Sequence, residues 1–293
     1  VPSPSRFNRR LHALYPFFLP LLHLLAQAWK NLHQAQAYAL DTFPLPACEN
    51  IRAPRSRLFP DKAYRGFIPS KRVYFHGPKL HLLVDDGKFI HEVSLTPGSL
   101  HDLSSLLLLP LDLPEGAELY LDRGYESHFY EDLLREAGGI VPMVIRRRNS
   151  RRYVPWLQYL AIVGRRVVET VGSMLHALFP RRIHAVTQEG FVIKVLSFIL
   201  AHNLNLLAQQ MLGYLYENGI GVEVNEQLAL DWYKRAAAQN NLKAQYALGM
   251  YAKNKSKNLK DYITWLEKAA NAGLHEAQTE LGIAYREGIG VEK

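Results

Sequence analysis

Leu119-Tyr120-Leu121-Asp122-Arg123-Gly124-Tyr125 reads as a short buried strand that gives way to a turn at a carboxylate. The apolar run Tyr38-Ala39-Leu40-Asp41 closes the same way, as a second strand ending in an acid. A third acid, Glu169, sits in Arg165-Arg166-Val167-Val168-Glu169-Thr170-Val171, which has helical spacing. At about 100° per residue, Val163, Val167, Val171, Met174 and Leu178 form an apolar stripe, and Arg165, Glu169, Gly172, Ser173 and His176 fall on the opposite side. Such a polar face is ordinarily just solvated. Three carboxylates on three separate elements are also a way to hold divalent metal, because hard cations take oxygen ligands.

Outward from these acids the pattern alternates between the two periods. Residues 73–84 and 89–95 are rich in β-branched and aromatic side chains and flank Asp85-Asp86-Gly87, a hairpin turn. The spacing predicts helix over 101–109, strand over 119–122, helix over 127–137 closed by Gly138-Gly139, and strand over 140–145. This order makes a mixed α/β layer architecture, in which acids at strand ends converge on one pocket. Pro78 removes a ladder hydrogen bond and predicts an edge or a bulge. Residues 191–207 form a second, almost wholly apolar helix.

The chain has 293 residues, 48% of them hydrophobic, enough for a buried core and more than one domain. Its net charge of +8 falls entirely in residues 1–207, since residues 208–293 hold ten basic and ten acidic residues. That excess favours a polyanionic partner. The lone Cys48 excludes an internal disulfide and a cysteine-rich zinc site, and reads as a small buried residue. The apolar stretch 11–29 is interrupted by Pro16, Pro20 and His23, which predicts a core or interface helix and no membrane span. No signal peptide is expected.

Arg146-Arg147-Arg148 and Arg151-Arg152 are the densest positive cluster, either clamping phosphates or forming a solvated charge run. Arg52, Arg55 and Arg57 are a weaker cluster of the same kind. His81, His91, His101 and His184 lack zinc-site spacing and read as partly buried structural histidines. His101-Asp102, at a helix start, is either that or a pair orienting a metal-bound water. Gly138-Gly139 lacks the lysine and hydroxyl residue of a nucleotide loop, so no ATP dependence is implied.

After residue 207 a repeat begins. Ala208-x-x-x-Leu212-Gly213 recurs as Ala244-x-x-x-Leu248-Gly249 and as Ala277-x-x-x-Leu281-Gly282, and Gly219-Ile220-Gly221-Val222 recurs as Gly288-Ile289-Gly290-Val291. Small residues at fixed spacing let paired helices approach, which predicts a short α-solenoid. The third unit is expected to lack its partner helix, leaving an apolar face uncovered.

Residues 36–207 resemble the catalytic core of the DDE transposases of bacterial insertion sequences. The matching segments are Leu40-Asp41-Thr42-Phe43-Pro44-Leu45-Pro46-Ala47-Cys48, Lys79-Leu80-His81-Leu82-Leu83-Val84, His101-Asp102, Asp122-Arg123-Gly124-Tyr125 and Arg165-Arg166-Val167-Val168-Glu169-Thr170. Residues 208–293 are similar to tetratricopeptide-like repeats of the Sel-one type, which mediate protein contacts. The resemblance implies a ribonuclease-H-like mixed sheet flanked by helices, with residues 1–35 a remnant of an N-terminal helical region. It implies that Asp41, Asp122 and Glu169 are catalytic and hold two Mg2+ ions, with Mn2+ a substitute. Arg146, Arg147, Arg148, Arg151, Arg152 and Arg165 would contact DNA, and His101, Asp102 and Arg123 would support the acids. On the helix of Glu169, Arg165 takes the arginine place of some such enzymes, whereas Ile162 and His176 stand where a tyrosine and a basic residue lie. The implied activity is DNA cleavage and strand transfer by a homodimer, in a bacterial cytoplasm at the nucleoid. The rival readings are a repeat-based interaction protein carrying a transposase relic, and a general nuclease.

Overall fold

The chain enters through helices α1 (Pro4–Leu14) and α2 (Phe18–Leu32) and continues into strands β1 (Ala37–Pro44), β2 (Arg65–Ile68), β3 (Val73–His76), β4 (Pro78–Asp85), β5 (Ile90–Pro97) and β6 (Glu118–Leu121). Helix α3 (His128–Gly138), strand β7 (Val141–Val144) and helices α4 (Pro155–Leu178) and α5 (Gln188–Asn218) follow. This computed structural model describes residues 4–32, 35–48, 56, 58–68, 72–179, 183, 185–238, 241–271 and 274–290. Arg52, Arg55, Arg57, His184 and Val291 lie outside the described residues. The chain divides into two compact units, Val1–His202 and Asn203–Lys293.

In the first unit five strands share one sheet in the order β5-β4-β1-β6-β7, and β2 and β3 form a separate hairpin. β4 is antiparallel to both β1 and β5, while β6 is parallel to β1 and to β7. This is the ribonuclease-H-like mixed sheet that the resemblance implied. Side chains alternate between its faces. Ala39, Leu80, Leu82 and Val84 pack with Val168, Val171 and Leu175 of α4 and with Phe191, Val195 and Ile199 of α5. Tyr38, Leu40, Leu83, Leu119 and Leu121 build the core of the other face with Tyr125 and Ile140.

Several expected elements shift. The strand read over 73–84 is two strands, because Gly77 stands at φ 154° and a Cβ there would meet the Leu45 carbonyl oxygen at 2.2 Å. Pro78 is then the first residue of β4, a position where proline is tolerated, and β4 is neither an edge strand nor bulged there. The helix expected over 101–109 is a 3-10 helix at Asp102–Leu107. Cys48 is half-buried.

Helix α1, a 3-10 turn at Tyr15–Phe17 and α2 follow one another directly across Pro16 and Pro20. Proline early in a helix lacks an N–H that would be unpaired anyway, so it does not stop the run. Arg9–Lys30 is therefore long and apolar enough to cross a membrane by length and composition, a measure that a core helix also meets, and Gln188–Asn218 meets it too. Phe18, Leu22, Ala26 and Trp29 of α2 are buried, and Leu14, Phe17, Leu19, Leu21 and Leu24 face outward. Trp29 stacks on Phe89 at 4.9 Å and donates its indole N–H to the buried Asp85 at 2.6 Å.

The second unit is all helical: the end of α5, then α6 (Glu226–Ala238), α7 (Leu242–Tyr251), α8 (Leu259–Asn271) and α9 (His275–Glu287). Its buried residues are largely small or aromatic, among them Ala229, Tyr233, Ala236, Ala244, Tyr262, Ala269 and Ala277. The repeated glycines show what the pattern is for. A Cβ on Gly213 would collide with the Tyr233 ring at 2.5 Å, one on Gly249 would sit in ordinary contact with Trp265 and Leu266, and one on Gly282 would meet nothing.

Candidate active site

β6 stops at Leu121, level with Leu40 of β1, whereas β1 runs on to Pro44 along β4. Asp41 is therefore inside its strand, not at the end of it, but it lies where the parallel neighbour has run out. Asp122 is the next residue on that neighbour, so adjacent strands, spaced at about 4.8 Å, carry the two acids side by side. Alternation puts Asp41 on the face of Ala39, the face α4 covers.

Helix α4 is rotated from the expected orientation. Its buried residues are Gln158, Ala161, Arg165, Val168, Val171, Gly172 and Leu175, while Val163 and Leu178 are exposed. Arg165 and Gly172, expected on the polar side, face the sheet. Two glycines allow this: a Cβ on Gly164 would lie 2.3 Å from the Tyr120 ring, and one on Gly172 would lie 2.1 Å from the Phe43 ring. Apolar counting misses the seat because the helix follows its smallest residues and the charge of Arg165.

That charge gathers all three acids. Arg165 Nη2 donates to Asp41 Oδ2 at 2.5 Å, and Nη1 stands 3.4 Å from Asp122 Oδ1 and 3.8 Å from Glu169 Oε1. Side-chain exposure rises from 15% at Asp41 to 46% at Asp122 and 60% at Glu169, so the cluster has a buried base and an open mouth. Burial pushes the Asp41 carboxyl above the ordinary carboxylate range. Asp122 adds to that push, and Arg165 and the Thr42 N–H, which donates to Asp41 Oδ1 at 2.8 Å, oppose it.

On the other face of the sheet, behind Asp41, lies a polar network that the sequence did not reveal. Thr42 Oγ1 lies 2.7 Å from the Tyr125 hydroxyl and 2.9 Å from His81 Nδ1, and His81 Nε2 lies 2.7 Å from Thr96 Oγ1. The network ties the residue after Asp41 to the turn that follows Asp122. His81 is fully buried, and burial pushes its pKa down to about 4. The strand register that sets His81 opposite Thr42 is the only signal for this network, and it exists only once the sheet has formed.

The arginine cluster divides. Arg146 is buried and donates to both oxygens of the buried Glu131, and its backbone N–H donates to Gln158 Oε1 at 2.6 Å. Arg152 is forked onto Asp132 at 2.8 and 2.7 Å. Both arginines expected to contact DNA are thus paired with acids of α3, Arg146 in the interior and Arg152 at the surface. Arg147, Arg148 and Arg151 are exposed. Of the expected supporting residues, Asp102 pairs with Lys79 at 2.9 Å and touches the turn after Asp122, where a Gly124 Cβ would lie 3.0 Å from its Oδ2. His101 Nδ1 accepts the Leu103 N–H at 3.3 Å within its own turn, and Arg123 is exposed.

In its chemistry the donor set suits a hard divalent cation, being three carboxylates from three elements, while their spacing is set by the one guanidinium between them. Among the described residues no three His, Cys, Asp or Glu stand close enough together to hold a metal ion. The guanidinium of Arg165 is what bridges the carboxylates.

Comparison with known proteins agrees with this division. The model of the Transposase DDE domain family matches residues 33–182, a span that holds all three acids, and the Sel1 repeat model matches 206–241, 242–262, 263–274 and 275–293. A Sel1-like repeat-containing protein of Acanthamoeba polyphaga mimivirus is 39% identical over 85 residues, 29% of this chain and 16% of that protein. Chitin synthase regulatory factor 3 of Schizosaccharomyces pombe is 37% identical over 90 residues, 29% of this chain and 10% of that protein. The chain thus spans less than a fifth of the length of these curated relatives. The crystal structure of a Sel1 repeat protein from Oxalobacter formigenes is 38% identical, with 32% of this chain and 43% of that chain covered at a TM-score of 0.30. With just over half of its residues matched by one family model, the chain belongs to the Transposase DDE domain family and carries Sel1 repeats behind that domain.

Proposed function

We infer that the first unit is a metal-dependent polynucleotidyl transferase that cuts DNA and joins the ends, working as a homodimer on paired insertion-sequence ends. The convergence of Asp41, Asp122 and Glu169, carried by β1, the turn after β6 and α4, on one guanidinium is the observation that supports it. These three side chains would hold Mg2+, or Mn2+ in its place. When bound, such a cation supplies charge neutralisation at the scissile phosphate and polarises the attacking oxygen. The chain's own contribution is positioning. The Thr42 N–H fixes one oxygen of Asp41, and the Thr42–Tyr125 hydrogen bond holds the Asp122 turn beside β1. The exposed Arg147, Arg148 and Arg151 suit phosphate contacts, which orient DNA without reading its sequence.

The test uses the full chain with supercoiled plasmid and a 3′-hydroxyl oligonucleotide. Nicking or strand transfer is expected with Mg2+ and not with a chelator, and Asp122→Asn should lower it by about a hundredfold or more with the fold intact. Equal activity in that variant would remove the reading.

A second reading concerns the repeats, whose exposed Tyr214, Leu228 and Tyr285 suit a protein partner. It expects partner binding by the full chain to be indifferent to Asp122→Asn.

A further inference from the structure

Arg165 stands against one oxygen of each carboxylate that would ligate a cation. Asp41 Oδ2 takes Nη2 at 2.5 Å, and Asp122 Oδ1 and Glu169 Oε1 share Nη1 at 3.4 and 3.8 Å. The first contact is tight, and the other two are longer than the roughly 2.7–2.9 Å of a charge-assisted hydrogen bond. The fork is also incomplete: Arg165 Nε is buried and has no hydrogen-bond partner. A buried guanidinium N–H left over is uncommon, and it marks an arrangement that has not satisfied its own donors. The side chain therefore has one strong reason to stay, Asp41, and two weak ones.

A hard divalent ion draws carboxylate oxygens to about 2.0–2.1 Å, far closer than a guanidinium does. Two cations cannot share these oxygens without repulsion, strongest at the base, where Arg165 and Asp41 are mostly buried and like charges a few ångströms apart are poorly screened. The mouth formed by Asp122 and Glu169 is open, and the arginine stem has enough rotatable bonds to leave through it without moving α4. We propose that Arg165 is a competing internal cation, whose guanidinium holds the three carboxylates together and must withdraw from between them for a divalent metal ion to bind. This rests on the reading of Asp41, Asp122 and Glu169 as the cation site and adds a regulation to it: the chain sets its own threshold for metal.

Binding of Mn2+ alone to the full chain, followed by electron paramagnetic resonance, tests this without DNA or turnover. Arg165→Gln removes the competing charge and should tighten Mn2+ binding roughly tenfold, equivalent to about 1.4 kcal/mol of repulsion removed. Arg165→Met, which keeps the apolar stem, should do the same and replaces the first variant if that one does not fold. In the unsubstituted chain, adding Mg2+ should make the buried Arg165 Nε–H exchange faster with solvent, as read by 15N NMR. Mn2+ binding that is unchanged or weaker in the folded variant, or an Nε–H still protected with Mg2+ bound, overturns the proposal. Asp122→Asn separates this failure from that of the underlying reading. Loss of Mn2+ there with no gain in Arg165→Gln sinks only the competition, whereas retained Mn2+ sinks the site and the competition together.

Discussion

Arg146 and Arg165 are both buried guanidiniums that face carboxylates, Arg165 one of them on its own helix, and they are satisfied to different degrees. Arg146 forks onto Glu131, which is itself buried, and the surrounding polar groups have partners: its backbone N–H reaches Gln158 and its Nη1 also lies 3.5 Å from Glu126. Arg165 serves three acids of rising exposure, two of them at long range, with its Nε unpaired. The same chemistry makes a strut in one place and an open cluster in the other. Burying charges is costly unless geometry and hydrogen bonds compensate, so a closed pair signals architecture and an unfinished one signals a site awaiting another charge.

The comparison breaks most sharply at Arg146. Arg146→Ala leaves the buried Glu131 with only Arg152 Nη1, 3.6 Å away, and should cost about 3 kcal/mol of stability. Urea denaturation of the full chain would read this, and a cost below about 1 kcal/mol would mean that the closed pair is no more structural than the open one.

The network behind Asp41 should be nearly as sensitive, through pH. His81 is held neutral, with a folded-state pKa near 4 against an ordinary 6.5. The unfolded chain therefore takes up a proton that the folded chain does not, and stability is present above pH 6.5 and lost as pH falls towards 4. The full loss is on the order of 3 kcal/mol. His202, also pushed down by burial, acts in the same direction. Unfolding midpoints measured across that window should slope less in His81→Gln, and identical slopes would exclude His81 as the source.

Gly172→Ala is the mildest probe and tests the seat of the open cluster. Its methyl meets the Phe43 ring, so α4 must lift or Phe43 must turn, at a cost of about 1–3 kcal/mol. If the cluster depends on that close approach, Mn2+ binding should weaken as well, and a stability loss with Mn2+ binding intact would detach the glycine from the site.

Much of the fold was legible in the chain because it is written in local periodicity. The hairpin at Asp85-Asp86-Gly87, the strand before Asp122 and the glycine stop of α3 appear where alternation and turn residues put them. The boundary at Gly77 was not, since a strand-like composition continues across it and only the Leu45 carbonyl pressed against its Cα splits it. The acids were legible as residue types, though only Asp122 stands at an element end, Asp41 lying inside β1 and Glu169 within α4. Their mutual distances were not, because they depend on β6 ending one residue short of Asp41. The pairing within the basic cluster at 146–152 was hidden for a related reason: its sequence shows charge, and nothing local shows that Glu131 and Asp132 of α3 face Arg146 and Arg152.

The sequence by itself determined the periods, the small-residue spacing of the repeats and the chemical identity of the three acids, all of which follow from neighbours a few residues apart. Only the tertiary structure decided which way α4 faces, which arginines are spent in ion pairs and which buried groups meet behind Asp41. The orientation of a helix is chosen by the fit of its glycines to rings on other strands and by the attraction of one guanidinium for carboxylates far along the chain. Neither term has any period to leave in the sequence.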